Sequence, residues 1–358
     1  MSVLPSKPIL ACIRFGGAPR ISGLNHTLEE DFFVKRMYFI LAFLLFVLLR
    51  LVGPVAGQSL KVGMTSKTLF YLPFYVGEKK GFYKAENLNV ELILIGRSDV
   101  QLQALLTGEI NFATLNADGV ILVNEKGANL KVIAGVDNAA PYILVGAKPY
   151  KKIDDLKGAR LGVTSLRGGA TSILLEYLKS KGLHFPKDFS LTILSGGTAA
   201  RLSALESGAI AAGVLGIPYS DIAIDQGFTR LGDTLEVISK YQFNGITVNP
   251  AWAEKNRASV VKFLKAHIRA LRWIHEQPEQ AAEFFTSEMG VKPPYARRGI
   301  DYFTKNKVFP IDGSVTLEGL KANIDVQFRD GILKEPLPSP EKYVDQSFVR
   351  QAQKELGL

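Results

Sequence analysis

Cysteine is all but absent from this chain. Of 358 residues only Cys12 carries a thiol, and it lies upstream of a segment whose pattern marks it for removal, so the remainder has no disulfide framework and no thiolate metal site. Histidine is scarce too, with four in all. His26 lies in the same upstream segment, and His184 sits in a turn beside no acid or nucleophile. His267 and His275 share one helical stretch but stand eight residues apart, twice the spacing of about four that a helical metal pair needs. His184, His267 and His275 are expected to be structural or exposed, and no metal, cofactor or catalytic residue is expected. No Gly-x-Ser-x-Gly elbow, Gly-Lys-Ser/Thr phosphate loop or paired-carboxylate motif is present, which leaves the common hydrolytic and nucleotide chemistries without their residues. The net charge is +9, yet Lys and Arg are scattered, without the basic run or interleaved aromatics of a nucleic-acid surface.

Long hydrophobic runs are lacking as well. The longest, Met37 to Leu49, falls short of the roughly 20 apolar residues that span a bilayer. Lys35 and Arg36 precede it, and Arg50 and the small-residue stretch Gly53-Pro54-Val55-Ala56-Gly57 follow. A basic start, an apolar centre and small residues at the cut are the order of a secretory signal, so cleavage after Ala56 or Gly57 is expected. With no cysteine after the apolar run, a lipid anchor is not expected, and a free periplasmic protein fits better. Residues 1–33 have no export character, and a start at Val34 would leave a short basic leader. Six Lys/Arg and three Asp/Glu lie within residues 1–57, so the remainder keeps a net charge of +6.

What the remainder does have is a repeat. Residues 101–115, QLQALLTGEINFATL, and 201–215, RLSALESGAIAAGVL, coincide at Leu102/Leu202, Ala104/Ala204, Leu105/Leu205, Gly108/Gly208, Ile110/Ile210 and Leu115/Leu215. Further back, Gly63-Met64-Thr65-Ser66 matches Gly162-Val163-Thr164-Ser165, and Lys80-Gly81 matches Lys181-Gly182. Each half reads strand, polar turn, helix, Gly stop, strand, helix, Gly stop, strand, which is a pair of βαβ units in a parallel sheet. The expectation is α/β: two lobes, each a mainly parallel sheet flanked by helices, with a ligand cleft between them. Residues 58–146 and 245–358 would form lobe 1 and residues 147–244 lobe 2, after an extension and signal peptide at 1–57. The chain would cross near Val145 to Lys148 and near Tyr241 to Asn244. Leu264, Ile268, Leu271 and Ile274 mark the core stripe of an amphipathic helix from about Arg257 to Glu276.

Ligands of open parallel sheets bind beyond the carboxyl ends of the strands, where helix N-termini converge. The repeat therefore aims two sets of turns at one cleft. In lobe 1 they hold Thr65, Ser66, Phe70, Asn116 and Asp118. In lobe 2 they hold Thr164, Ser165, Arg167, Gly168, Gly169, Thr198, Gly216 and Tyr219. The turn Thr164-Ser165-Leu166-Arg167-Gly168-Gly169 suits a carboxylate, sulfonate or phosphate: glycines let backbone approach, hydroxyls donate, and Arg167 supplies charge. Asp118 either pairs with a ligand or caps a helix. Phe70, Tyr71 and Tyr219 either stack on a planar ligand or pack. Arg201, which begins a helix just after the Gly196 to Thr198 turn, is expected to be solvated.

Three stretches carry a family resemblance: Leu72-Pro73-Phe74-Tyr75-Val76-Gly77-Glu78-Lys79-Lys80-Gly81-Phe82-Tyr83, then Ala104 through Ala113, ALLTGEINFA, then Ile153-Asp154-Asp155-Leu156-Lys157-Gly158. Over about residues 60–345 the chain resembles the periplasmic substrate-binding proteins of ABC transporters in the nitrate, sulfonate and taurine group, related to thiamine-pyrimidine-precursor proteins. The resemblance implies a Venus-flytrap fold, a small-molecule ligand between the lobes, and delivery to an ABC permease with its ATPase subunit by a protein that is itself a monomer. The cysteine-rich segment of pyrimidine-synthesising relatives is missing. A small organic anion, a sulfonate and a planar heterocycle stay open as ligands. The alternatives are an enzyme of pyrimidine or menaquinone-precursor metabolism on the same bilobal fold, and a sensory ectodomain.

Overall fold

A computed structural model describes residues 37–39, 59–166 and 168–358. The expected export leader, apart from residues 37–39, and Arg167 lie outside the described residues. Residues Gly57–Leu358 form one compact unit.

The strands are β1 (Leu60–Met64), β2 (Val90–Leu94), β3 (Phe112–Asn116), β4 (Lys131–Asp137), β5 (Ile143–Gly146), β6 (Arg160–Val163), β7 (Ser190–Ile193), β8 (Ala212–Leu215), β9 (Thr229–Asp233) and β10 (Asn244–Val248). They form two five-stranded sheets, ordered β2-β1-β3-β10-β4 and β7-β6-β8-β5-β9. Each sheet is mainly parallel with one reversed strand: β10 is antiparallel to β3 and β4, and β5 to β8 and β9. The reversed strand is in both cases the one that arrives from the other lobe.

The helices are α1 (Leu72–Lys79), α2 (Phe82–Ala85), α3 (Ser98–Thr107), α4 (Ala117–Asn124), α5 (Gly169–Ser180), α6 (Gly197–Glu206), α7 (Tyr219–Asp225), α8 (Pro250–Lys255), α9 (Arg257–Glu276), α10 (Pro278–Met289), α11 (Pro293–Lys305), α12 (Leu317–Arg329) and α13 (Ser347–Leu356). Repeat-matched Gly108 and Gly208 close α3 and α6 in the left-handed conformation (φ +79° and +73°), which ends a helix without the Cβ penalty other residues bear. On α9 the stripe Leu264, Ile268, Leu271 and Ile274 is fully buried, and Phe263 stacks on Phe112 of β3 at 4.2 Å. That helix packs its apolar face toward the first sheet through this pair.

The first crossing between lobes comes earlier than the hydrophobic pattern suggests. Ile143 to Gly146 is an apolar run that reads equally well as the last strand of either lobe, and its pairing decides: Ile143 lies opposite Leu215 and Gly146 opposite Ala212. Residues 143–146 therefore belong to the second sheet, and the crossing runs through residues 138–142. On the return, Asn244 already belongs to β10 of the first sheet, opposite Asn116. The two crossings are tied together by Thr234, whose hydroxyl donates to the Ala140 carbonyl at 2.6 Å and accepts from the Tyr142 amide at 2.9 Å.

Candidate functional site between the lobes

The carboxyl ends of β1, β3, β6 and β8 face one another, and the helices that follow them present their N-termini to the gap. Asn116 caps α4, its Oδ1 accepting from the Gly119 amide at 2.8 Å, so its amide nitrogen is left for the other lobe. Gly169 opens α5 against that side chain: a Cβ there would stand 2.6 Å from Asn116 Cβ. Gly197 opens α6 against Ser66, where a Cβ would stand 2.8 Å from Ser66 Cβ and 3.0 Å from the Thr65 carbonyl oxygen. Ser98 and Ser165 hydroxyls meet across the gap at 3.2 Å, and the Leu69 amide donates to the Ile217 carbonyl at 3.1 Å. The lobes are thus closed on each other, with glycine where backbone must approach backbone.

They enclose a polar cavity of about 30 Å³ walled by Thr65, Ser66, Tyr71, Ser98, Thr114, Asn116, Tyr142, Thr164, Gly169, Ala170, Gly197, Thr198, Arg201, Phe243 and Asn244. That volume holds roughly two waters. Its neighbour is a largely apolar chamber of about 340 Å³, lined by Leu102, Leu115, Leu122, Val123, Leu166 and Ile193, with Asp99, itself paired with Arg97, at its edge, and sharing Ser98 and Asn116 with the cavity.

Arg201 sets the electrostatics. Its side chain is 1% exposed. Nε donates to the Val214 carbonyl at 2.8 Å and one terminal nitrogen to Thr198 Oγ1 at 3.0 Å, while Nη1 has no partner among the described residues. No carboxylate among the described residues pairs with it, and burial pulls its pKa down. An uncompensated buried cation costs several kcal/mol, and here it forms part of the wall of a cavity that, among the described residues, no Asp, Glu, His or Cys lines. The remaining polar wall is hydroxyls and amides. Amide groups at the starts of α5 and α6 add partial positive charge. The polar cavity therefore presents a cation and hydrogen-bonding hydroxyls and amides.

The repeat explains how the guanidinium gets there. Gln101 holds the matching place in lobe 1, fully buried, its Nε2 bonded to the Gly63 carbonyl at 2.6 Å and the Thr114 carbonyl at 3.2 Å. Gly63 and Gly162 make room for these side chains: a Cβ on Gly63 would meet Ile110 at 2.7 Å and Gln101 at 3.1 Å, and on Gly162 it would meet Ile210 at 2.6 Å and Arg201 at 3.5 Å. The expectation that Arg201 is solvated is therefore corrected, since its helix starts at the cleft and points this residue inward over β8. Gln101 aligned with Arg201 was the available signal.

Thr65, Ser66, Asn116, Thr164, Gly169 and Thr198 all line the polar cavity, and Ser165 lines the adjoining chamber. Gly168 lies beside them: a Cβ would meet Ser165 Oγ at 2.7 Å and Ser98 Oγ at 2.8 Å. Four expected residues are placed elsewhere. Asp118 is buried with both oxygens engaged, accepting from Tyr241 OH at 2.6 Å and Asn323 Nδ2 at 3.0 Å, and burial raises its pKa. It anchors the return crossing to α4. Phe70 packs within 5.4 Å of Tyr142, Phe243 and Phe303 in the core, and Gly216 serves that packing, with Phe70 3.0 Å from a Cβ there. Tyr219 lines a separate surface groove with Met289 and Lys292. Tyr71, expected either to stack on a ligand or to pack, lines the cavity, and Ser98, Tyr142 and Asn244 reach it without having been among the expected residues.

Residues 70–281 match the family model described as NMT1/THI5 like. The chain belongs to that family. Among the relatives of this NMT1/THI5-like protein, the Bacillus subtilis (strain 168) binding protein YtlA is 26% identical over 65% of this chain and 71% of its own length. The riboflavin-binding protein RibY of Chloroflexus aurantiacus is 25% identical over 59% of this chain and 60% of its own length. The periplasmic nitrate-binding protein NrtA from Synechocystis PCC 6803 shares the fold at a TM-score of 0.69 and 15% identity, over 84% of this chain and 89% of that one. The bilobal periplasmic-binding-protein fold is therefore that of the NMT1/THI5-like chain described here. Among the described residues no helix is long and apolar enough to cross a membrane.

Proposed function

We propose that this protein is the solute-binding component of an ABC importer, working outside the cytoplasm. It closes around one small organic anion and delivers it to a permease driven by its ATPase subunit. The observation that carries the reading is the buried guanidinium of Arg201, a residue of the inter-lobe cavity wall whose Nη1 has no partner among the described residues. The polar cavity takes the charged head, and the apolar chamber beside it takes a tail. Binding rather than turnover is supported by relatives that are named as binding proteins. Only a ligand that touches both lobes favours the closed form over an open one, and here Thr198 and Arg201 face Thr65, Ser66 and Asn116 across the cleft. We further infer export through a cleaved leader and a monomeric mature form. N-terminal sequencing of the exported protein is expected to begin near Gln58.

The test is a thermal-shift screen against carboxylates, sulfonates, nitrate and heterocycles, with wild type and Arg201→Gln side by side. A ligand bound only by the native state raises its melting point. Anions should stabilise wild type and leave Arg201→Gln unmoved. Equal shifts for both proteins, or a response to neutral heterocycles alone, would sink the anion reading.

A further inference from the structure

Helix α11 belongs to lobe 1 in its core contacts, where Phe303 lies 5.0 Å from Phe309 and 5.4 Å from Phe70. Its polar stripe nevertheless points at the other lobe. Tyr295, Arg298 and Tyr302, three and four residues apart, share one helix face and each meets an aspartate of lobe 2. Tyr295 OH donates to Asp225, an Arg298 Nη nitrogen lies 3.4 Å from Asp221, and Tyr302 OH donates to Asp233 at 2.6 Å. Between them Gly299 lets the helix press in: a Cβ there would stand 2.8 Å from Ile217 of lobe 2 and 3.1 Å from Leu69 of lobe 1. None of these residues lines the polar cavity.

We propose that α11 is a strap that holds the lobes closed in the absence of ligand, through the Tyr295, Arg298 and Tyr302 contacts with Asp225, Asp221 and Asp233. A hydrogen bond to a charged acceptor contributes more than a neutral one, and a bond made only in the closed form shifts the open–closed ratio by its full differential strength. The strap therefore sets how much of the protein is pre-closed, and with it the affinity for any ligand. This rests on the two-lobed fold alone and stands or falls apart from the identity of the ligand.

The tyrosines offer a clean test, because their removal strands no buried charge: Asp233 keeps Arg230 at 3.1 Å and the Leu235 amide at 3.0 Å, and Asp225 is exposed. Residues 58–358 contain no cysteine, so the full chain with Cys12→Ser accepts spin labels at two introduced cysteines, Lys84→Cys on lobe 1 and Lys187→Cys on lobe 2. Both positions are exposed. Distances between the labels are measured by pulsed electron resonance without ligand. The wild-type background should show a closed population, and Tyr295→Phe/Tyr302→Phe should raise the open-to-closed ratio by about tenfold or more while lowering the melting point by no more than a few degrees. Asp225→Asn, which keeps an acceptor oxygen for Tyr295, should stay closer to wild type than Asp225→Ala. A wild-type background that is wholly open, a double variant with the wild-type distribution, or an Asn variant that opens as far as the Ala variant would each overturn the strap.

Discussion

Arg201 carries a buried charge to the wall of the inter-lobe cavity with no carboxylate partner among the described residues, and that placement costs free energy. If the cation lacks a partner until an anion arrives, its removal should relieve the empty protein while abolishing its use. Gln101 shows that a glutamine fits the equivalent place in lobe 1. Arg201→Gln is accordingly expected to melt a few degrees higher than wild type without ligand, a stabilisation of about 1–3 kcal/mol, and to bind anions far more weakly. A variant that melts well below wild type would mean that Arg201 is structural. His267 lends itself to a pH test. It is buried against Phe74, its ring 5.1 Å away, and burial lowers its pKa to about 4. The unfolded chain takes up that proton near the ordinary histidine value and the folded chain only near pH 4. Its share of stability is therefore whole above about pH 6.5 and lost as pH falls toward 4, a loss approaching about 3 kcal/mol. His267→Gln should lose less stability than wild type over that interval in denaturant titrations, and parallel curves would refute the assignment.

Among the elements, the duplicated strand–turn–helix units were the most legible part of the chain, because the glycine stops and apolar runs recur in the same order about 100 residues apart. Thr65, Ser66, Asn116, Thr164, Gly169 and Thr198 were legible because a turn after a parallel strand has one place to go. Tyr142 and Asn244 were not, since they come from the crossings, whose register against neighbouring strands no local pattern encodes. Asp118 was ambiguous for a physical reason: a carboxylate at a helix start suits a ligand, a cap and a buried hydrogen-bond anchor alike, and only Tyr241 and Asn323, distant in sequence, select the last. Two glycines separate fold from function at this scale. Gly197 and Gly208 both have positive φ (+67° and +73°), but an added Cβ on Gly208 meets nothing within 4 Å whereas one on Gly197 meets Ser66 of the opposite lobe. Alanine at either should cost about 1 kcal/mol of stability. Only Gly197→Ala should also weaken ligand binding, by tenfold or more, because it wedges the lobes apart. Calorimetric titration alongside melting curves separates the two effects, and equal affinities would show that closure does not need this contact.

For the whole molecule, closure is distributed around the rim of the cleft. One flank is held by the α11 contacts. The other carries Arg329 to Glu176 at 2.8 Å and Lys179 to Asp330 at 3.8 Å, pairs exposed enough to contribute at most about 1 kcal/mol each. The lobe boundary was the part of the architecture least visible beforehand, because a bilobal chain passes between its halves in extended segments that look like any other strand.

The scaffold is nearly two-fold symmetric, yet the guanidinium stands on one side of it and an uncharged amide on the other. A pseudo-symmetric clamp with equal jaws would accept a guest in two reversed poses. On the proposed anion reading, the electrical imbalance between Gln101 and Arg201 would leave a single pose, head toward α6, and a stoichiometry of one.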